Sequence, residues 1–115
     1  MSSRTGCYRR VRGVRVRPLP ELDACFVYTP ARPCLHTLNI AAWFILELCE
    51  GRSPRALSDA YVEEMRAAYW QSVGRNFFIA PPPPRAIALR DELRATVRQL
   101  EARGIIELRN QPKGT

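Results

Sequence analysis

The pattern of apolar and polar positions changes period along the chain, and each change marks an element. Val14-Arg15-Val16-Arg17 alternates apolar and charged, the spacing of a half-exposed strand. Pro18 and Pro20 interrupt it. Ala24 to Thr29 (Ala-Cys-Phe-Val-Tyr-Thr) is rich in aromatic and β-branched residues and predicts a second strand. Pro30-Ala31-Arg32-Pro33 predicts a turn, because two prolines fix φ and remove two donors. Cys34 to Leu38 predicts a short third strand, with Leu35 and Thr37 on one face and Cys34, His36 and Leu38 on the other. The period then becomes helical. Asn39 is a capping residue, residues 40–50 are almost wholly apolar, and Gly51 is a stop. Ile40, Phe44 and Leu48 stack at i, i+4, i+8, and Ala41, Ile45 and Cys49 stack beside them. Glu47 and Glu50 are the only charges in this run. A helix so apolar must be wrapped by other elements.

Two more helices follow. Ser53 with Pro54 opens one, expected to run to about residue 70, with Leu57, Tyr61 and Met65 on one line. The last is expected over about 87–103. Leu89, Leu93, Val97 and Leu100 form its apolar stripe, Arg90, Arg94, Arg98 and Glu101 flank it, and Gly104 stops it. Ile105-Ile106-Glu107-Leu108 either adds a short strand or packs against the helices. The order is three strands and then three helices. That predicts an α+β domain with helices on one face of a three-stranded antiparallel sheet.

The segment Leu38-Asn39-Ile40-Ala41-Ala42-Trp43-Phe44-Ile45-Leu46-Glu47-Leu48-Cys49-Glu50-Gly51, followed by Arg52-Ser53-Pro54, resembles the signature of PqqD-like proteins. These are the small peptide chaperones named for pyrroloquinoline quinone biosynthesis. The same module serves as the recognition element for ribosomally made, modified peptides (RiPPs). The resemblance covers about residues 15–65, and 87–108 more loosely. It implies a winged helix-turn-helix-like fold over 14–109. It also implies a function: binding the leader segment of a precursor peptide and presenting that peptide to a modifying enzyme. In the family this partner is often a radical S-adenosylmethionine (radical SAM) protein, and other maturases use the same module. The resemblance places the leader on the third strand (Cys34, Leu35, His36, Thr37, Leu38) and against the third helix (Leu89, Arg90, Leu93, Arg94, Val97). Leu93 and Val97 would form an apolar floor, and Arg90 and Arg94 would pair with acidic leader residues. On this mapping Leu93→Glu abolishes leader binding and leaves the domain folded. An exposed sheet edge suits such a role, since it is a template for another strand, including that of a second copy in a homodimer.

Composition adjusts this picture in three places. The 115-residue chain carries a net charge of +7, but Arg4, Arg9, Arg10, Arg12, Arg15 and Arg17 hold +6 of it within residues 1–17. Residues 1–13 are therefore expected to be a flexible basic arm, which either meets an acidic partner or nucleic acid or is a solvated leader of an arginine-rich chain. Residues 71–86 contain Phe77-Phe78-Ile79 and four consecutive prolines, Pro81 to Pro84, and are expected to be an insertion loop. Its aromatics either fold onto the core or dock a partner enzyme. Residues 110–115 are expected to fray. No apolar run approaches the roughly 18 residues of a membrane helix, and no apolar stretch of a secretory signal opens the chain, so no membrane is expected and the cytoplasm is the default compartment.

Chemistry-bearing motifs are sparse. His36 is the sole histidine, and Cys7, Cys25, Cys34 and Cys49 lack the close paired spacing of a zinc site. The six glycines are scattered, so no phosphate loop is present. A binding protein without metal or cofactor is expected rather than an enzyme. Two alternatives stay open: a winged-helix DNA-binding protein, or an assembly subunit of a maturase complex that does not itself bind the peptide. Asp91, Glu92 and Glu101 interrupt the arginines of the last helix, which counts against nucleic acid.

Overall fold

Capping chemistry sets the helix starts. The Asn39 Oδ1 accepts the Ala42 N–H at 2.8 Å, and helix α1 spans Ile40–Cys49. Gly51, at φ +80°, turns the chain out of it in the left-handed region. The Ser53 Oγ accepts the Ala56 N–H at 3.1 Å, Pro54 takes the first helical position, and α2 spans Pro54–Val73. Helix α3 spans Ala86–Ala102. The computed structural model describes residues 6–74 and 82–110 of the chain.

Five strands accompany these helices: β1 (Cys7–Arg10), β2 (Arg15–Leu19), β3 (Ala24–Thr29), β4 (Cys34–Asn39) and β5 (Ile106–Arg109). They form two antiparallel sheets rather than one. The three-stranded sheet has the order β2-β3-β4, and β1 pairs with β5 separately. The fold is therefore α+β, with small antiparallel sheets and three helices.

The core lies between the three-stranded sheet and the helices. Cys25, Val27 and Leu38 come from the sheet, Ile45, Leu46 and Cys49 from α1, Leu57 and Tyr61 from α2, and Leu89, Leu93, Val97 and Leu100 from α3. Ile45 and Leu46 are at most 1% exposed, and burying each contributes about 1.5–3 kcal/mol. The wrapping of α1 is incomplete at its first turn, where Ile40 stays 56% exposed.

The expected basic arm over 1–13 is corrected at Cys7–Arg10. Tyr8 is buried, and β1 pairs with β5 in the register Tyr8↔Leu108. Its other edge is also used. The Tyr8 N–H donates to the Arg52 carbonyl at 2.9 Å, and the Gly51 N–H donates to the Tyr8 carbonyl at 2.8 Å. Arg10 then reaches the charges of α1, with its Nη2 2.8 Å from the Glu47 Oε1 and its Nε 4.0 Å from the Glu50 Oε2. Gly6 permits the entry to this strand. At φ +99°, a Cβ there would run into the Arg109 carbonyl.

The expected insertion over 71–86 is shorter. Helix α2 continues to Val73 and α3 begins at Ala86, which leaves 74–85 between them. Phe77, Phe78 and Ile79 lie outside the described residues, as do 111–115 of the expected frayed tail.

Tyr8→Ala is expected to lower unfolding stability by about 3 kcal/mol in chemical denaturation, the scale of deleting a buried aromatic ring. A flexible arm would instead show no loss.

Candidate functional site

Strand β4 is the outer strand of its sheet, and among the described residues no strand pairs with its free edge. It is held from behind by β3 in the register Val27↔His36 and Tyr28↔Leu35. Leu35 and Thr37 are exposed, Leu35 at 62%. Leu38 points inward and is buried in the core, while Cys34 at the strand start is exposed and His36 is half-buried.

The tip of the β3–β4 hairpin is pinned by one buried hydroxyl. The Thr29 Oγ1 lies 3.0 Å from the Arg32 carbonyl oxygen, 3.3 Å from that of Cys34 and 3.3 Å from the His36 Nε2. His36 therefore has a structural partner inside the sheet. The turn is also tied to α3, since the Arg32 Nη2 donates to the Ala102 carbonyl at 3.5 Å.

Beside β4 runs a groove with a cavity of about 120 Å³. Thr37 and Asn39 from β4, Ala42 from α1, Thr96 and Gln99 from α3, and Arg103 just past the end of α3 line it, with Leu38 and Leu100 also contributing. Its walls offer hydroxyl, amide and guanidinium groups to an extended chain lying along the strand.

The structure separates the two halves of the expected peptide site. Arg90, Leu93, Arg94 and Val97 do not line the β4 groove. They line a larger cavity of about 460 Å³ against α2, together with Tyr8 and Arg98. Leu93 and Val97 are 4% and 5% exposed, so they are core residues with only an edge showing, and Leu89 is buried and lines neither cavity. Arg90 is engaged by the Ser58 Oγ at 3.1 Å and the Asp59 Oδ1 at 3.4 Å, and Arg94 by the Asp91 Oδ1 at 3.3 Å. The residues of α3 and its C-terminal cap that line the groove beside β4 instead are Thr96, Gln99, Leu100 and Arg103. Their signal in the sequence was the i, i+4, i+7 spacing of Thr96, Leu100 and Arg103, on the other flank of the apolar stripe from Arg90 and Arg94. The 4% exposure of Leu93 weighs against the expectation that Leu93→Glu leaves the domain folded, since a carboxylate there loses most of its hydration.

Among the described residues, no group of three His, Cys, Asp or Glu side chains stands together as a metal site, and no helix is long and apolar enough to cross a membrane. Burial, reinforced by Glu50, pushes the Cys49 thiol up to about 11, and burial with Glu47 raises that of Cys25. Burial also raises the Tyr61 phenol, with Glu92 adding to it. No protein-family model, curated protein or solved structure matches the chain.

Thiol labelling at pH 8 is expected to modify exposed Cys34 in the native protein and to spare Cys25 and Cys49 until unfolding. The folded protein holds the Cys49 proton to about 11, whereas the ordinary thiol value is 9.0. The folded state therefore binds more protons between those values, and stability is expected to fall as pH rises through that window. A denaturation midpoint that stays flat across it would contradict the assignment.

Proposed function

We propose that the chain is a stand-alone PqqD-like recognition protein with the winged helix-turn-helix-like arrangement of that family. It binds the leader of a ribosomally made precursor peptide as an added strand on β4 and presents the core peptide to a modifying enzyme. The observation that carries this reading is the unpaired β4 edge, with exposed Leu35 on the strand and the α3-walled groove beside it. Alternate residues of an edge strand turn their N–H and C=O groups outward, so an incoming strand gains main-chain hydrogen bonds from β4. Side chains of the leader then reach Leu35 on the sheet face, or Thr96, Gln99 and Arg103 in the groove, and give specificity.

The motif from Leu38 to Gly51 supports the same reading, because it forms the turn from β4 into the buried helix behind it. Catalysis is left to the partner, a radical SAM protein or another maturase. Tethering the leader raises the effective concentration of the core peptide at that enzyme's active site. Such a role needs no cofactor in this chain. Several arginines that a DNA-binding reading would use are already engaged: Arg10 by Glu47, Arg90 by Asp59 and Arg94 by Asp91.

Fluorescence polarisation with labelled leader peptides encoded beside this protein's gene tests the proposal. Leu35→Asp is expected to weaken the bound leader at least about ten-fold, or about 1.4 kcal/mol, with an unchanged thermal melt. Leu93→Glu is expected to lower the melt. A Leu35→Asp variant that binds the leader as tightly as the native chain would overturn the β4 assignment.

A further inference from the structure

The larger cavity, between α2, α3 and Tyr8, is not needed for a strand on β4. Leu57, Leu93 and Val97 line it, with the buried Tyr8 beside them, and four arginines ring it: Arg55, Arg90, Arg94 and Arg98. Arg90 and Arg94 have exposed carboxylate partners in Asp59 and Asp91. Arg55 and Arg98 make no hydrogen bond or ion pair with any described residue. The cavity also opens at the start of α2, where Pro54 lines it and the helix dipole adds positive potential.

We infer that this cavity docks an acidic, amphipathic peptide segment of a partner protein. One aliphatic side chain enters against Leu57, Leu93 and Val97, and flanking carboxylates pair with Arg55 and Arg98. The charge pattern selects the sign of the partner. Two guanidinium groups without a partner among the described residues, and two more held by exposed side chains, attract carboxylates. The shape selects a peptide over nucleic acid. A concave apolar floor of Leu57, Leu93 and Val97 is filled by an aliphatic side chain, which a sugar-phosphate backbone does not supply. The site is separate from the β4 groove. The two sets of α3 residues lie roughly 140° apart around the helix, on opposite flanks of its buried stripe. A leader on β4 and an acidic segment here can therefore be held together.

Selection of a phage-displayed random dodecapeptide library against the intact chain tests this. The expected winners carry acidic residues around an aliphatic one. Their affinity is expected to fall at least about ten-fold in Arg55→Glu/Arg98→Glu, to weaken as salt rises toward about 1 M, and to be unchanged in Leu35→Asp. Both substituted arginines are exposed, so the fold is expected to survive, which a thermal melt verifies. Winners without acidic enrichment, or winners indifferent to the double charge reversal, overturn the inference. So does a single-stranded DNA oligonucleotide that binds more tightly than the winners through the same two arginines. A loss confined to Leu35→Asp would support the β4 site and overturn this one, which keeps the two proposals distinguishable.

Discussion

Everything in this fold answers to the burial of α1. A ten-residue helix whose only charge is Glu47 cannot be solvated on any broad face. Ile45, Leu46 and Cys49 are essentially sealed from water, and that requires cover from the sheet, from α2 and α3, and from Ile105 and Ile106 near β5. The one charge on the helix also shapes the cover. Glu47 and Glu50 are met by Arg10, which arrives on β1 with Tyr8. An exposed ion pair of this kind contributes at most about 1 kcal/mol, so Tyr8 and its backbone hydrogen bonds, rather than Arg10, hold the strand in place.

That constraint explains which features were legible in the sequence. The span from Asn39 to Gly51, the Ser53-Pro54 start and the Leu89-Leu93-Val97-Leu100 stripe are local signals of capping and period, and each matches the structure within a few residues. The register of Ala24–Thr29 against Cys34–Asn39 follows from a short proline turn. Strand β1 was not legible. It has one buried apolar side chain among arginines, and its pairing partner lies at the far end of the chain, at Ile106–Arg109. Local periodicity carries no information about such a contact.

The candidate site was half legible for the same reason. Alternation along Cys34–Leu38 correctly gives Leu35 and Thr37 as exposed and Leu38 as buried. The α3 residues expected beside β4 line the cavity against α2 instead. Amphipathic period shows which residues are buried, but not which edge of the stripe a neighbouring strand approaches. Helix α2 takes the flank of Arg90 and Arg94, and β4 takes that of Thr96, Gln99 and Arg103. The result is one helix serving two grooves of different character, a narrow polar one beside an open strand and a wider cationic one over an apolar floor.

The central claim is that β4 offers an unoccupied backbone edge to another strand. Residue-resolved amide hydrogen exchange along Cys34–Asn39 tests it most directly. The account predicts alternating protection in the free protein: slow exchange at amides bonded to β3 and fast exchange at those facing out. Adding the leader peptide should then protect the outward amides. Uniformly slow exchange in the free protein would show that the edge is already covered. Outward amides that stay fast with leader bound would show that the peptide binds elsewhere.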